Sequence, residues 1–238
     1  MRFLLTRLAA TLAATLYLAV PVAAQGADRI VAEDGRILSI GDSLMAWNTI
    51  AGRSIPNVVS AILEEPVESR AVSGAHVIYA LPITGAMGMR IGAQFGKDTP
   101  DWVLVTGGGN DLWLGCGCSR CQRRMDRMIS PDGSAGAVPD LIRRIRKTGA
   151  RVIYIGYLRS PGWNTVIDHC RDEGDAFEAR LSVMARQTEG VWFLSNADLV
   201  PDGDTSFHAL DGIHPSVKGS TAIGKRVAAL IRKLDRER

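Results

Sequence analysis

The chain has 238 residues, of which 46% are hydrophobic and 22% are charged, and its formal net charge is +3. This length and composition are enough for one substantial core, and the lack of internal repeats and long linkers favours a single domain. A charge balance so close to neutral argues against a general nucleic-acid-binding function.

The first predicted element is a secretory signal peptide over residues 1–24. Arg2 and Arg7 begin it, a short apolar stretch follows, and small residues precede a cleavage point after Ala24. The alternative is an uncleaved membrane anchor, but a span needs ~20 apolar residues and this stretch is shorter. We therefore expect an exported protein, periplasmic or extracellular, with a single domain over 25–238 and no stable membrane insertion.

A first strand is predicted over residues 36–40, and Gly41, Asp42 and Ser43 follow it. Glycine permits a tight turn at this point. Ser43 would begin a helix with its N–H pointing towards the ligand side. Taken alone, an Asp-Ser pair is also an ordinary helix cap, so Ser43 becomes a nucleophile candidate only with support from other loops. A helix over 54–65 comes next.

The next two strands also end in residues that can act on a ligand. A strand over 67–73 ends at Gly74, which has no side chain to keep a substrate atom from its backbone N–H. A strand over 101–108 has the apolar centre of a strand buried on both faces, and it leads to Asn110, whose amide can donate a hydrogen bond. Each motif alone is equally a glycine-rich turn.

The four cysteines after the leader form a cluster of three, spelled CGCSRC, and a distant fourth: Cys116, Cys118, Cys121 and Cys170. An even number in an exported chain favours disulfides. A zinc site usually has a second Cys-x-x-Cys pair, which is lacking here, and a redox dithiol at Cys118 and Cys121 lacks a thioredoxin-like context. We favour structural disulfides in which Cys170 pairs into the cluster and staples the 116–121 loop to the 159–172 loop.

Strands predicted over 151–157 and 191–195 alternate with helices. Apolar residues recur with helical spacing over 138–145, 177–184 and 223–234. Strand–helix alternation of this kind predicts an α/β protein, a three-layer α/β/α sandwich with a mainly parallel five-stranded sheet. Ligands bind at the carboxyl ends of the strands in such folds.

Two basic runs occur at 120–127 and 143–147. Solvated helix faces are the favoured interpretation of both runs. Contact with an acidic glycan or a membrane surface is the alternative.

Asp211 and His214 are three residues apart, in the loop between the fifth strand and the last helix. On a tight turn the carboxylate can accept a hydrogen bond from imidazole Nδ1, which leaves Nε2 as a base. None of His76, His169 and His208 has a carboxylate three residues before it, as His214 has, so His214 is the candidate base.

These motifs, in this order and each at a predicted strand end, resemble those of the SGNH hydrolase family, also called GDSL hydrolases. The chain carries them as Gly-Asp-Ser at 41–43, Gly74, Gly-Gly-Asn-Asp at 108–111 and Asp-Gly-Ile-His at 211–214. The resemblance covers nearly all of 25–238 and implies a flavodoxin-like fold. The cysteine-rich insert departs from the family pattern and can reshape the substrate side.

The resemblance implies a serine esterase with Ser43 as nucleophile, His214 as base and Asp211 as the group that orients the base. Its oxyanion hole would comprise the N–H groups of Ser43 and Gly74 and the side chain of Asn110. No metal and no organic cofactor are expected. Trp47 and Trp113 flank the motifs, and an acyl groove and a core role are equally open for them.

The favoured function is hydrolysis of carboxylic esters, with a small-molecule ester, a lipid or an acylated glycan as substrate. An acyltransferase or a glycan O-deacetylase using the same residues is the alternative. A non-catalytic binding module would be expected to lack one of the catalytic residues, and all are present. A general α/β-hydrolase is excluded because no serine lies in a Gly-x-Ser-x-Gly motif.

Overall fold

The computed structural model describes residues 37–162, 165 and 167–237. Five parallel strands form one sheet in the order β2-β1-β3-β4-β5. All the carboxyl ends therefore meet at one side of the sheet, which we call the carboxyl edge. The strands are β1 (Ile37–Ile40), β2 (Val67–Ser69), β3 (Trp102–Val105), β4 (Arg151–Leu158) and β5 (Val191–Asn196).

Helical segments connect the strands, as parallel neighbours require. A π-helical turn at Gly85–Met89 and 3₁₀ turns at Asp168–Cys170 and Thr205–Phe207 supplement the α-helices. The α-helices are α1 (Ser43–Ala46), α2 (Ile55–Leu63), α3 (Pro82–Thr84), α4 (Ile91–Gln94), α5 (Gly109–Cys116), α6 (Gln122–Met128), α7 (Ala137–Arg146), α8 (Arg171–Gln187) and α9 (Val217–Arg236).

The sheet separates two hydrophobic cores, because successive side chains of a strand point to opposite faces. Leu38 and Val103 belong to a core that includes the apolar faces of α7 and α8. Ile37 and Leu104 belong to a second core with α2 and α9. All four residues of β1 and of β3 are buried, and burial on both faces explains why β3 is apolar throughout. The predicted α/β class with a parallel five-stranded sheet is confirmed.

Two predicted strands are too long at their carboxyl ends. β2 stops at Ser69, where Arg70 turns its guanidinium to Asp98 at 2.6 Å. β3 stops at Val105, because Gly107 and Gly108 have φ of +152° and +105° and redirect the chain. The sequence pattern predicts no helix over 109–128, yet α5 and α6 lie there on either side of the cysteine-rich loop.

The predicted signal peptide, 1–24, lies outside the described residues, and the single domain over 25–238 remains a prediction. None of the helices in the described part of the chain is both long enough and apolar enough to cross a bilayer.

Candidate active site

The turn after β1 has a glycine that no other residue can replace without rearrangement. Gly41 has φ of +150°, and a Cβ atom there would lie 2.2 Å from Thr106 Oγ1 on the next strand. This close approach directs the chain straight into α1. Asp42 is the N-cap of α1, with its carboxylate 3.0 Å from Leu44 N, and Ser43 is the first helical residue.

Asp42 ties three strand ends together beneath Ser43. Its carboxylate accepts hydrogen bonds from Thr106 Oγ1 at 3.2 Å and from the hydroxyl of Tyr157 at the end of β4. Burial raises the pKa of Asp42, although hydrogen bonds from Tyr157, Leu44 and Thr106 oppose the shift. A buried carboxylate this fully bonded holds the Ser43 turn in place and, although Asp42 contributes to the pocket lining, is not a free base.

The Asp211 and His214 side chains form the predicted pair. His214 Nδ1 lies 2.6 Å from Asp211 Oδ2. Oδ1 of Asp211 accepts the backbone N–H groups of Ile213 and His214 at 2.9 and 3.0 Å. Burial alone would raise the pKa of Asp211, but these hydrogen bonds outweigh it and hold the pKa below its usual value. Asp211 is thus a charged acceptor that fixes the imidazole with Nε2 directed away from it.

Two residues directly after α1 contact the His214 loop, and the sequence did not reveal these roles. The rings of Trp47 and His214 are stacked, with centroids 3.8 Å apart and planes 5° apart. Asn48, with φ of +64°, donates to Pro215 O at 3.1 Å and to Ser220 Oγ at 2.9 Å. Trp47 therefore positions the imidazole. This role is neither the acyl-groove role nor the core role that the sequence left open for it.

Gly74 and Asn110 are brought together by the loops after β2 and β3. Gly74 has φ of +79°, and Asn110 Nδ2 donates to Ala75 O at 2.9 Å. Asp111, the next residue, accepts the backbone N–H groups of Val77 and Ile78 at 2.7 and 3.0 Å. Burial raises the pKa of Asp111, against these two hydrogen bonds and the charges of nearby side chains. The Gly74 loop is therefore fixed next to Asn110.

Arg124 explains part of the first basic run. Its guanidinium donates to Asp111 Oδ1 at 3.1 Å and to Ile78 O at 3.0 Å. This arginine is a structural tie between α6 and the Gly74 loop. The favoured interpretation of residues 120–127 as a purely solvated face is therefore wrong at this one position.

Gln94 clasps the turn after β1, and no motif pointed to it. Its amide exchanges two hydrogen bonds with the backbone of Gly41, at 2.6 and 2.8 Å, and donates to Gly88 O at 2.8 Å. A glutamine 53 residues from its partner gives no local sequence signal.

A pocket of about 150 Å³ opens beside Ser43, Asn110 and His214. Gly74 and Asp211 do not line it. No hydrogen bond joins Ser43 Oγ to His214 among the contacts of the described residues, and catalytic hydrogen bonds commonly tighten only when substrate binds. The apolar part of the wall includes Leu112, Trp113, Leu158, Ile167 and Phe177.

Two disulfides shape this wall, Cys116–Cys121 and Cys118–Cys170. Cys170 also lines the pocket, so the second bridge staples the insert after α5 to the segment that begins α8. The predicted pairing of Cys170 with the cluster is confirmed.

Arg159 and Glu178 form the polar side of the same wall, and the sequence did not mark either. Arg159 Nη2 lies 2.8 Å from Glu178 Oε2, and Glu178 also accepts the backbone N–H of Tyr157 at 3.0 Å. Because the pair is satisfied internally, it fixes the end of β4 against α8.

The described residues contain one group with metal-ligand geometry: Cys118, His169 and Cys170, whose donor atoms lie within 4.8 Å of one another. Both sulfurs belong to the Cys118–Cys170 disulfide. Cysteine binds a metal as its thiolate, so this group does not fit a metal while its two cysteines are joined in a disulfide.

Comparison with known proteins agrees with this geometry. The family model described as the GDSL-like lipase/acylhydrolase family matches residues 39–222. No curated protein matches the chain. Among solved structures, TesA is 20% identical with a TM-score of 0.58, and the alignment covers 83% of this chain and 98% of that one.

Two carbohydrate esterases also share the fold. The active-site mutant of a family-two carbohydrate esterase from Clostridium thermocellum is 18% identical, with a TM-score of 0.55, over 83% of this chain and 63% of that one. A carbohydrate acetylesterase family member from Sinorhizobium meliloti is 14% identical, with a TM-score of 0.56, over 83% and 97%. At these identities the likeness is one of fold alone.

Proposed function

Because the chain belongs to the GDSL-like lipase/acylhydrolase family and is an ester-bond hydrolase, we propose that it is an exported serine esterase that acts through an acyl-enzyme. Ser43 is the nucleophile, His214 is the base and Asp211 orients the base. The observation that carries this proposal is the 2.6 Å contact between Asp211 and His214 in the loop beside Ser43.

In the proposed reaction, Ser43 Oγ attacks the ester carbonyl while His214 Nε2 takes the hydroxyl proton. The tetrahedral intermediate collapses, the ester C–O bond breaks, and the imidazolium returns the proton to the leaving alcohol. Water then attacks the acyl-enzyme with His214 as base, which releases the acid and restores Ser43. The Asp211 carboxylate stabilises the imidazolium in both steps.

The negative charge on the carbonyl oxygen is stabilised by three donors in this proposal. Ser43 is the first residue of α1, so the helix does not use its N–H. The Gly74 N–H and the Asn110 amide supply the other two, and Asp111 holds their loops together. Removing one such donor typically lowers kcat by about 10²–10³.

The pocket supports a limit on the acyl group. The apolar wall of the pocket includes leucine, isoleucine and phenylalanine, and an apolar cavity of about 150 Å³ is large enough for benzene. We therefore propose that the pocket takes acyl groups of up to roughly six heavy atoms, by that comparison. Longer chains would have to extend past the pocket into solvent.

Export is supported by the predicted leader at 1–24 and by the two disulfides, which persist in oxidising compartments. N-terminal sequencing of secreted material should begin after Ala24. A chain that still begins at Met1 would contradict the export proposal and leave the esterase proposal untouched.

A panel of p-nitrophenyl esters from acetate to palmitate, with acetylated xylan alongside, tests the esterase proposal. Hydrolysis should be fastest for the short and medium acyl chains and should fall for palmitate. Ser43→Ala and His214→Ala should remove most activity, and Asp211→Ala should be milder. Ser182→Ala, on the far end of α8, is the matched control and should behave as wild type.

The variants should be strongly non-additive, because the three groups act as one unit. Asn110→Ala should lower kcat more than it raises KM, since its donor matters most when charge develops on the oxygen. Wild-type turnover by a folded Ser43→Ala protein would refute the mechanism. Faster transfer of the acyl group to added glycan than to water would instead identify an acyltransferase.

A further inference from the structure

Seven large apolar side chains are exposed among the described residues. Each lies in a segment that follows the carboxyl end of a strand, as Ser43 and His214 also do. Single exposed apolar residues are normal on any surface, whereas a set confined to one edge indicates a contact surface. The large ones are Ile50, Leu81, Ile83, Met87, Leu114, Leu210 and Val217.

Five of these side chains follow β1, β2 and β3, and we call them the apolar rim: Ile50, Leu81, Ile83, Met87 and Leu114. Their exposures range from 61% to 107%. Three of them belong to the segment 71–90, which is bonded to the candidate site. His76 N donates to Met89 O at 2.8 Å within that segment, and Val77 N donates to Asp111. The rim is therefore held by the same loops that carry Gly74 and Asn110.

The rim is cationic as well as apolar. The segments 43–54, 71–90 and 112–124 contain no aspartate and no glutamate. They present four exposed arginines, and none of these makes an ion pair within the described part of the chain. The arginines are Arg53, Arg90, Arg120 and Arg123.

The start of α8 borders the rim, since the Cys118–Cys170 disulfide joins it to the segment 112–124. It carries Arg171 beside Asp172, Glu173 and Asp175, and Asp175 is paired with Arg159 at 2.6 Å. The excess of positive charge therefore belongs to the rim segments, which hold arginines without carboxylates. This charge, together with the exposed apolar side chains, matches an anionic lipid surface.

We propose that the apolar rim and its arginines dock the protein on an anionic lipid surface, with the pocket opening towards the lipid. Apolar side chains enter the boundary between headgroups and acyl chains, and nearby arginines attract anionic headgroups. Complementary charge singles out a lipid surface, since the segments that would face it hold no carboxylate to repel it. Docking needs no catalysis, so the inference goes beyond the proposed esterase function.

Vesicle flotation of the folded, disulfide-bonded Ser43→Ala protein tests the docking without turnover. Vesicles of phosphatidylcholine doped with phosphatidylglycerol should bind the protein at least about tenfold better than pure phosphatidylcholine, because cations near the membrane add attraction one by one. High salt should release most of it, since screening shortens the range of the attraction.

Two variants separate the contributions of the rim. Ile83→Ser/Met87→Ser removes apolar area, and Arg120→Gln/Arg123→Gln removes charge. Each should reduce binding severalfold and leave the unfolding temperature unchanged. The same rim substitutions, made in the protein that retains Ser43, should leave the hydrolysis of soluble p-nitrophenyl acetate unchanged. Lys225→Gln/Lys233→Gln, on the exposed face of α9, is the charge-matched control and should bind like the parent.

Equal binding to neutral and anionic vesicles would overturn the proposal, as would rim variants that bind like the parent. Analytical ultracentrifugation adds a third decisive outcome. If the rim made dimers that Ile83→Ser/Met87→Ser dissolved, and vesicles did not bind, the rim would be a contact between copies of this chain.

Discussion

Trp47 lies flat against the His214 imidazole, and Asn48 holds the backbone just beyond it. Asp211 controls which nitrogen of His214 faces the pocket, but one hydrogen bond leaves the ring free to rock about that contact. A flat indole at 3.8 Å removes that freedom. Orientation of the base therefore depends on two elements that are distant in sequence, α1 and the loop before α9.

Trp47→Ala should lower kcat by roughly 10- to 100-fold with little change in KM, because small misplacements of a reacting group have effects of that order. Trp47→Phe should keep most of the activity, since a phenyl ring restores a flat face. Steady-state kinetics on p-nitrophenyl butyrate measure both. An alanine variant with wild-type kcat and an unchanged fold by circular dichroism would contradict the positioning role.

Asp42 leads to a pH-dependent prediction. Folding raises its pKa, mainly through burial, so the folded protein binds this proton more tightly than the unfolded chain does. The stability linked to Asp42 is therefore complete below the unfolded pKa and is lost as pH rises through the folded pKa. Asp42→Asn carries no such charge and should gain stability relative to wild type as pH rises.

Urea unfolding of both proteins from about pH 2 to about pH 8 measures the effect, since stability linked to a carboxyl group changes over the pH range in which that group titrates. Asp132→Asn is the control of opposite sign. Hydrogen bonds from Ser130 and Ser134 lower the pKa of Asp132 to about 2. Wild type therefore loses the stability linked to Asp132 as pH falls through that value, and Asp132→Asn should become more stable relative to wild type at low pH. Parallel curves for Asp42→Asn and wild type would contradict the assignment.

At the scale of elements, the cysteine-rich insert between α5 and α6 is the segment that the two disulfides fix. Its bridges differ in the length of chain they enclose: Cys116 and Cys121 are 5 residues apart, and Cys118 and Cys170 are 52 apart. The longer loop contains α6, α7 and β4. It restricts the unfolded chain more, and it also holds one wall of the pocket.

Cys118→Ser/Cys170→Ser should lower the free energy of unfolding by about 4 kcal/mol and Cys116→Ser/Cys121→Ser by about 2, from loop-closure entropy. The first pair should also raise KM more than it lowers kcat, because it loosens the pocket wall and leaves Ser43 and His214 in place. Urea unfolding and kinetics on the two double variants check both effects. Equal destabilisation would show that native-state contacts, and not loop length, set the difference.

At the scale of the whole molecule, the parts predicted from sequence are those written in local patterns. Burial in and against the sheet produces the apolar runs of β3 and β4 and the helical spacing of apolar residues in α7 and α9. Each of these patterns can be recognised within a short stretch of sequence. Asp211 and His214 are equally local, three residues apart. The order of the motifs then placed them at the carboxyl edge.

What could not be predicted depends on contacts between distant segments. Tyr157 meets Asp42 across 115 residues, and Asn48 meets Pro215 across 167. Neither Tyr157 nor Asn48 belongs to a short sequence pattern that reveals its role, because the packing of the strands determines which distant residue it contacts. The early end of β2 has the same origin: Arg70 leaves the strand for Asp98, 28 residues away.

The Cys118–Cys170 bridge gives the polypeptide a second covalent route between its two halves. The turn around 131–135 is largely exposed and lies inside the bridged loop. A protease site inserted there should yield a nicked molecule that migrates as one band without reductant and as two with it. The chain should also tolerate a split in this turn, since the bridge keeps β3 and β4 covalently joined.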